Sequence, residues 1–138
     1  MDDVSFTLNK GEVLGIVGES GCGKSTLVNT ILNLFEPTDG EVWFEGQPAL
    51  AAGKKVSTAF KKNVQIVFQD AYWSLNPLWL IKDIVAEPIE VYERIGEAEK
   101  LKRVSELLAM VGISEDACYK YPHEFSGGQR QRIAIARS

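Results

Sequence analysis

Apolar and polar positions in the first part of the chain predict strands followed by a helix. Residues 4–8 alternate as a half-buried strand does, and residues 9–12 supply a turn. The uninterrupted apolar run at 13–17 predicts a buried strand, and residues 25–34 are predicted to form a helix. The chain should therefore open as a hairpin-like pair of strands that leads into a helix.

The next segment predicts two more strands with an ambiguous stretch between them. Residues 36–40 are dense in turn formers and lead to a short strand at 41–46. Residues 47–62 are compatible with a loop plus a short helix. Residues 64–68 form a second strongly apolar run, which predicts another buried parallel strand, and Gln69 ends it.

From residue 70 onward the pattern changes to helices. Residues 81–94 are predicted to be helical with an interruption at Pro88, and residues 97–111 are predicted to end at Gly112. The second helix carries an apolar stripe, which we interpret as core packing: Leu101, Val104, Leu107, Leu108 and Val111.

Two serines are predicted to begin the remaining helical segments. Ser114, followed by acidic residues, is expected to cap a short helical turn, and Ser126 is expected to cap a last helix that runs through Ala136.

Composition narrows the class of protein. A chain of 138 residues with 45% hydrophobic and 25% charged residues is typical of one globular domain. The net charge of −4 provides no basic field, so we expect no nucleic-acid partner. Cys22 and Cys118 suggest neither a disulfide framework nor a zinc site, which fits a reducing cytosol. We expect the chain neither to span a membrane nor to be exported.

Residues 18–26, here called the phosphate loop, carry the strongest chemical signal. They are Gly18, Glu19, Ser20, Gly21, Cys22, Gly23, Lys24, Ser25 and Thr26. The glycines allow several backbone N–H groups to surround one anion, and the helix N-terminus that follows points at it. Lys24 would contact the β- and γ-phosphates, Ser25 would ligate Mg²⁺, and Thr26 is an additional phosphate contact. The alternative is a glycine-rich turn that happens to carry Lys-Ser-Thr, which the flanking strand and helix disfavour.

Two further places are candidates for ligand contact. Gln69 follows a predicted strand at the sheet edge where α/β proteins bind ligands, although a strand-ending Gln is more often a solvated loop residue. Residues 126–129, here called the signature segment, are Ser126, Gly127, Gly128 and Gln129. Two glycines in a first helical turn disfavour the helix, so they suggest a second anion site rather than a linker.

The order of these features resembles the ATP-binding subunits of ABC transporters. It comprises the phosphate loop, the strand-ending Gln69, a helical segment and the signature segment, and it covers essentially the whole chain. The resemblance is narrower still to the subfamily that imports dipeptides, oligopeptides or nickel, and it lies in residues 18–26, 69–77, 86–88 and 121–124, the last followed by the signature segment. Ala71 and Phe125 depart from the Pro and Leu usual there.

The resemblance implies roles for these residues. Residues 18–26 would bind the ATP phosphates, Ser25 and Gln69 would approach Mg²⁺ and the attacking water, and Lys24 and Gln69 would be catalytic. Residues 126–129 would contact the γ-phosphate of ATP held by a facing subunit. His123 is not the family's switch histidine, and we assign it no catalytic role.

The implied fold is α/β, a P-loop NTPase core of the ABC ATPase type with an inserted α-helical subdomain. Residues 1–69 would be the core, 70–125 the helical subdomain, and 126–138 the signature and the start of its helix. The implied partners are a second ATPase subunit and transmembrane permease subunits at the cytoplasmic face of a bacterial membrane. Tyr72, Trp73, Leu78 and Trp79 would line a groove for a permease helix or belong to the core.

The resemblance also implies that parts of the family's site lie outside this chain. The second Mg²⁺ ligand, the general base, the switch histidine and the adenine-stacking aromatic are not found in 1–138, so we expect an incomplete C-terminus and an inactive, marginally stable chain. Two alternatives stay open. One is an ATP-binding fragment without turnover, and the other is a non-transport ABC ATPase of the DNA-repair type. That type has a long coiled coil where only residues 70–125 intervene here.

Overall fold

A computed structural model describes residues 3–52, 56–70 and 74–138. The chain divides into two compact units, Met1–Val64 and Gln65–Ser138. This division falls before Gln69, and the signature segment belongs to the same unit as the helices that precede it. Whether the functional boundaries lie at residues 69 and 125 stays a prediction.

The first helix of the first unit is flanked by residues with left-handed backbone conformations. Helix α1 spans Lys24–Ile31, directly after Gly23, and so ends three residues before the predicted limit. Asn33 adopts a φ of 57°. The N–H of Leu34 donates to the Asn29 carbonyl at 2.8 Å and that of Asn33 to the Thr30 carbonyl at 2.9 Å. These two bonds form a Schellman motif, which satisfies the last carbonyls and stops the helix.

A β-hairpin follows, of which the sequence predicted only the first strand. Strand β1 (Glu41–Phe44) pairs antiparallel with β2 (Gln47–Ala51), with a bulge between Val42 and Trp43. Glu45 and Gly46 both have positive φ, 49° and 74°, as a two-residue type I′ turn requires. The ambiguous stretch thus contains a strand as well as a helix.

Helix α2 (Thr58–Asn63) completes the first unit's small core. Ser57 caps it, because the Ser57 Oγ accepts the Phe60 N–H at 3.1 Å. The Phe60 ring packs edge-on against Phe44 with 5.7 Å between ring centroids. Ala49 and Leu50 are buried with Phe60.

The strands predicted at 4–8, 13–17 and 64–68 are wrong for this structure. The turn between the first two is confirmed, since the Glu12 N–H donates to the Asn9 carbonyl at 3.0 Å. The flanking segments, however, lie outside the only sheet of the described ranges, which consists of β1 and β2. Val13 and Val17 are 98% and 91% exposed. An apolar extended segment becomes a strand only when neighbouring strands pair with its N–H and C=O groups.

The second unit is helical and carries the larger core. Helices α3 (Ile81–Tyr92), α4 (Glu97–Met110) and α5 (Gly127–Arg137) form it together with 3₁₀ helices at Glu115–Tyr119 and Pro122–Glu124. Its buried cluster comprises Leu75, Ile81, Ile84, Val85, Ala86, Ile89, Val104, Leu108, Ile113, Ala117, Cys118, Ile133, Ala134 and Ala136.

Sequence periodicity predicted these helices well. The interruption predicted at Pro88 is wrong, because helix α3 continues through this residue, and the helix ends two residues before the predicted limit. The apolar stripe of α4 is core as predicted, with Val104 and Leu108 buried and the other three members packed against the cluster. Gly112, with a φ of 69°, follows the end of the helix.

The predicted side-chain cap at Ser114 is wrong. Ser114 stands at the N-cap position of the first 3₁₀ helix but makes no side-chain cap hydrogen bond. Its backbone carbonyl accepts the Ala117 N–H at 3.0 Å instead, which closes the tight turn without the hydroxyl.

An ion-pair bridge joins the exposed sides of α3 and α4. The Lys100 ammonium lies 2.6 Å from a carboxylate oxygen of Glu90 and 2.6 Å from one of Glu97. The hydrogen bonds to Glu90 and Glu97 raise the Lys100 pKa to about 12.

Across the described residues, no helix is long and apolar enough to cross a bilayer.

Candidate functional site

Three glycines shape the backbone of the phosphate loop, and they do so for two different reasons. Gly21 and Gly23 have φ values of 84° and 98°, a region that favours glycine. Gly18 matters for space, because a Cβ there would lie 2.6 Å from the Cys22 Sγ. Residues 18–23 therefore follow a path that side-chain-bearing residues would resist.

The Lys24 ammonium is directed back into this loop. Its Nζ donates to the carbonyl oxygens of Gly18 at 2.8 Å and Glu19 at 2.7 Å, and it lies 3.6 Å from the Cys22 Sγ. Neutral carbonyls are weaker partners for an ammonium than an anionic oxygen is. The loop thus holds the Lys24 ammonium at a position where the oxygens of a phosphate group could replace the two carbonyls as its hydrogen-bond acceptors.

The start of α1 presents donors to the same place. Its first turn reads Lys24-Ser25-Thr26-Leu27, and its N-cap, Gly23, has no side chain that could accept from the first N–H groups. Ser25 and Thr26 are exposed. Helix dipole, orphan N–H groups and hydroxyls all favour an anion here. The residues present fit a phosphate group.

Ser20 and Glu19 complete the loop. Ser20 is exposed at a turn, and the Glu19 carbonyl accepts the Cys22 N–H at 3.4 Å as well as the Lys24 ammonium. The structure therefore brings residues 18–26 together within the first unit.

The second unit contains Gln69 and the signature segment. Gln69 is exposed and follows residues 64–68, which form neither a helix nor a strand. Ser126 caps α5 in a capping box: its Oγ accepts the Gln129 N–H at 3.3 Å, while the Gln129 Oε1 accepts the Ser126 N–H at 2.9 Å. The predicted cap is confirmed.

Gly127 and Gly128 face open space in this unit. A Cβ placed on either glycine would meet no atom within 4 Å among the described residues. Packing within residues 65–138 thus gives no reason for glycine at these positions, and a side chain there would point toward whatever approaches the helix N-terminus.

The two cysteines differ in accessibility. Cys22 is exposed and Cys118 is buried, and both are free thiols. Burial raises the pKa of the Cys118 thiol. Only Cys22 is therefore available to reagents in the folded chain, as far as the described residues show.

The apolar residues proposed for a permease groove divide into two pairs. Leu78 and Trp79 are 82% and 43% exposed, so their interpretation as core is wrong. Tyr72 and Trp73, like Ala71, lie outside the described residues.

Sequence reasoning missed two arginines of α5. The Arg132 Nη1 donates to the carbonyls of Val111 and Gly112 at 3.2 and 3.3 Å, and the Arg137 Nη1 donates to the Ser74 carbonyl at 2.6 Å. The only signal was that the segment is rich in Arg.

His123, to which we assign no catalytic role, stacks on Tyr121 with 5.7 Å between ring centroids.

No cluster of His, Cys, Asp or Glu able to hold a metal occurs in 3–52, 56–70 or 74–138. In the part described, Ser25 and Gln69 remain the residues predicted to approach Mg²⁺.

Comparison with known proteins decides the family. The sequence matches the ABC transporter family over residues 1–138. The chain belongs to the ABC transporter family. The resemblance inferred from the phosphate loop, Gln69 and the signature segment is therefore confirmed.

Curated relatives of this ABC chain are oligopeptide transport proteins. It is 49% identical over 139 residues to the oligopeptide transport ATP-binding protein AppF of Bacillus subtilis, covering 100% of this chain and 42% of AppF. It is 46% identical over 138 residues to the OppF protein of Lactococcus lactis, covering 100% of the chain and 43% of OppF. The chain thus spans less than half the length of these relatives.

Solved ABC cassettes share its fold. The protein cbiO1 of Clostridium perfringens, part of the ABC transporter complex cbiONQ, is 31% identical with a TM-score of 0.70 over 88% of this chain and 47% of cbiO1. The dimeric cassette MJ0796, bound to ADP and Pi in a post-hydrolysis state, is 33% identical with a TM-score of 0.71 over 86% of this chain and 52% of MJ0796. The predicted α/β ABC ATPase fold class is confirmed.

Proposed function

We propose that this chain is the ATP-binding part of a subunit that hydrolyses ATP to drive an oligopeptide importer. The observation that carries the proposal is the Lys24 ammonium held over Gly18 and Glu19 at the start of α1. The names of the relatives support oligopeptides over nickel as the transported class.

In this proposal the phosphate loop binds the ATP phosphates. Backbone N–H groups of residues 18–26 surround them, and Lys24 supplies the positive charge. Ser25, exposed in the first turn of α1, and Gln69, exposed after residues 64–68, are proposed to hold Mg²⁺ against the nucleotide. Lys24 and Gln69 are the proposed catalytic residues of this chain.

The proposed role of the signature segment is to bind the γ-phosphate of ATP held by a second ATPase subunit. The open space above Gly127 and Gly128 and the anion-favouring start of α5 support it. So does the dimeric assembly of the cassette MJ0796. The Ser126 Oγ uses a lone pair in the cap, which leaves its hydroxyl proton available to a phosphate oxygen.

Permease subunits are the other proposed partners, which would place the subunit at the inner face of a bacterial membrane. Leu78 and Trp79 are exposed apolar side chains next to the start of α3, as expected for a surface that receives a permease helix. The relatives, which are named as oligopeptide transport ATP-binding proteins, favour neither an ATP-binding chain without turnover nor a non-transport ABC ATPase.

The test is nucleotide affinity in the Lys24→Ala variant. Loss of the charge-assisted contact should cost on the order of 1.5–3 kcal/mol, or roughly 10- to 100-fold in Kd for a fluorescent ATP analogue. Lys10→Ala is the matched control, since it removes an exposed lysine from the same unit and should leave Kd unchanged. Equal affinities for the wild type and Lys24→Ala would overturn the assignment.

A further inference from the structure

One hydrogen bond in the second unit joins distant parts of the sequence. The Arg137 Nη1 donates to the Ser74 backbone carbonyl at 2.6 Å, across 63 residues, and the contact is partly buried. Ser74 lies five residues after Gln69. The last turn of α5 therefore holds the backbone on the C-terminal side of Gln69.

Arg137 also shares a cavity with residues on the N-terminal side of Gln69. It lines a cavity of about 300 Å³ together with Gln65, Ile66 and the α3 residues Pro88 and Val91. Arg137 thus bonds to the backbone after Gln69 and lines one cavity with residues before it.

The helix that carries Arg137 is itself firmly placed. Ile133, Ala134 and Ala136 are buried in the core, and Arg132 ties the helix to the carbonyls that follow α4. The capping box fixes its first turn at Ser126. A helix with a packed face and a hydrogen-bonded N-terminus moves as a rigid body. A shift of one end of α5 therefore displaces the other end as well.

We propose that Arg137 is a positioning residue, which anchors the Gln69 segment to the helix that begins at the signature segment. The catalytic meaning of this anchor rests on the proposed function. Gln69, which approaches the nucleotide of its own subunit, and Ser126, which approaches that of the facing subunit, are then held in a fixed relation through α5.

Limited proteolysis of the 138-residue chain tests the anchor directly. Chymotrypsin can cut after Phe68, next to Gln69. Arg137→Ala should speed this cleavage about tenfold, as expected when one local contact is lost, while cleavage after Phe35 and Tyr119 keeps its rate. Arg137→Lys should restore much of the protection, because an ammonium can still donate to the Ser74 carbonyl.

Arg132→Ala is the matched control. It removes the same charge from the same helix and loses bonds to Val111 and Gly112, but it leaves the bond to Ser74. It should not alter cleavage after Phe68. Equal cleavage there in the wild type and Arg137→Ala, or equal acceleration by both alanine variants, would overturn the proposal.

A kinetic experiment separates positioning from binding. Residues 1–138 replace the matching region of the Bacillus subtilis relative, and ATP hydrolysis by this hybrid subunit is measured. Arg137→Ala should lower kcat about tenfold with KM for ATP unchanged within about twofold, as expected for a residue that acts through Gln69. A raised KM with unchanged kcat would contradict the proposal. A wild-type hybrid that does not hydrolyse ATP would count against the proposed function, while the proteolysis result would still decide the anchor.

Discussion

At the scale of single residues, the phosphate loop is built around a sulfur atom as well as an ammonium. Gly18 leaves room for the Cys22 Sγ, which a Cβ at residue 18 would approach to 2.6 Å, and the same sulfur lies 3.6 Å from the Lys24 Nζ. The thiol therefore occupies the inner part of the loop even though Cys22 is exposed. A ligand that binds Lys24 would lie next to it.

This packing predicts that Mg-ATP protects Cys22 from alkylation. The rate of modification by a maleimide should fall about tenfold at saturating nucleotide, since bound phosphates block access to the loop. Mass spectrometry of the peptide that contains Cys22 measures the rate. Cys118, 0% exposed, should stay unmodified with and without nucleotide. An unchanged rate at Cys22 would place the thiol outside the binding site.

At the scale of elements, α5 combines a well-capped N-terminus with two residues of low helix propensity. The capping box stabilises its N-terminus, whereas Gly127 and Gly128 occupy its first turn, where glycine disfavours a helix. Asp and Asn would cap the helix as well as Ser does, but an Asp carboxylate would repel a phosphate and carries no proton to donate. Stability alone does not account for Ser-Gly-Gly, whereas the anionic ligand proposed for this segment would.

Gly128→Ala should therefore stabilise the second unit and impair its function. The substitution gains up to about 1 kcal/mol of helix propensity, which should raise the Tm of residues 65–138 by a few degrees. In the hybrid subunit it should weaken ATP-dependent dimerisation, measured by light scattering.

Gly112→Ala is the contrasting variant for this measurement. Gly112 has a φ of 69°, and a Cβ there would lie 3.2 Å from the Arg132 Nη1, so the Tm should fall. A lower Tm for Gly128→Ala, or undiminished dimerisation, would contradict the ligand-facing interpretation of the signature segment.

The helices of this protein could be predicted because helix formation depends mainly on residues that are close together in the sequence. The spacing of Leu101, Val104 and Leu108 identifies a buried face, and Ser126 with Gln129 identifies a helix start. The strands at 13–17 and 64–68 failed because strand formation depends on partners that local pattern does not specify. The loop around Lys24 was predictable from its motif, whereas the Arg137–Ser74 contact spans 63 residues and has no sequence signature.

At the scale of the whole molecule, the two units have unequal cores. The second unit buries the large cluster around Leu108 and Ile133, while the first buries Ala49, Leu50 and Phe60. Apolar side chains of residues 4–17 remain exposed, Val13 and Val17 most of all. Burial of apolar area is the main source of stability, so the first unit should be much less stable than the second.

We expect the 138-residue chain to unfold in two separate stages. Residues 65–138 should melt cooperatively, whereas residues 3–64 should bind a hydrophobic dye at room temperature and lose structure gradually. Hydrogen exchange with peptide resolution, recorded through the melt, distinguishes the units. One sharp transition across both units would show that the exposed segments are stable as they stand.

The weak core of the first unit gives its ligand a structural role. A molecule that binds only the folded form shifts the folding equilibrium by mass action, by about 2.7 kcal/mol when its free concentration is 100 times Kd. The first unit buries only Ala49, Leu50 and Phe60 among its described apolar residues, so such a gain would add substantially to its stability. The nucleotide would then act as part of the first unit's core, and the folded fraction of the phosphate loop in the 138-residue chain would rise with the ATP concentration.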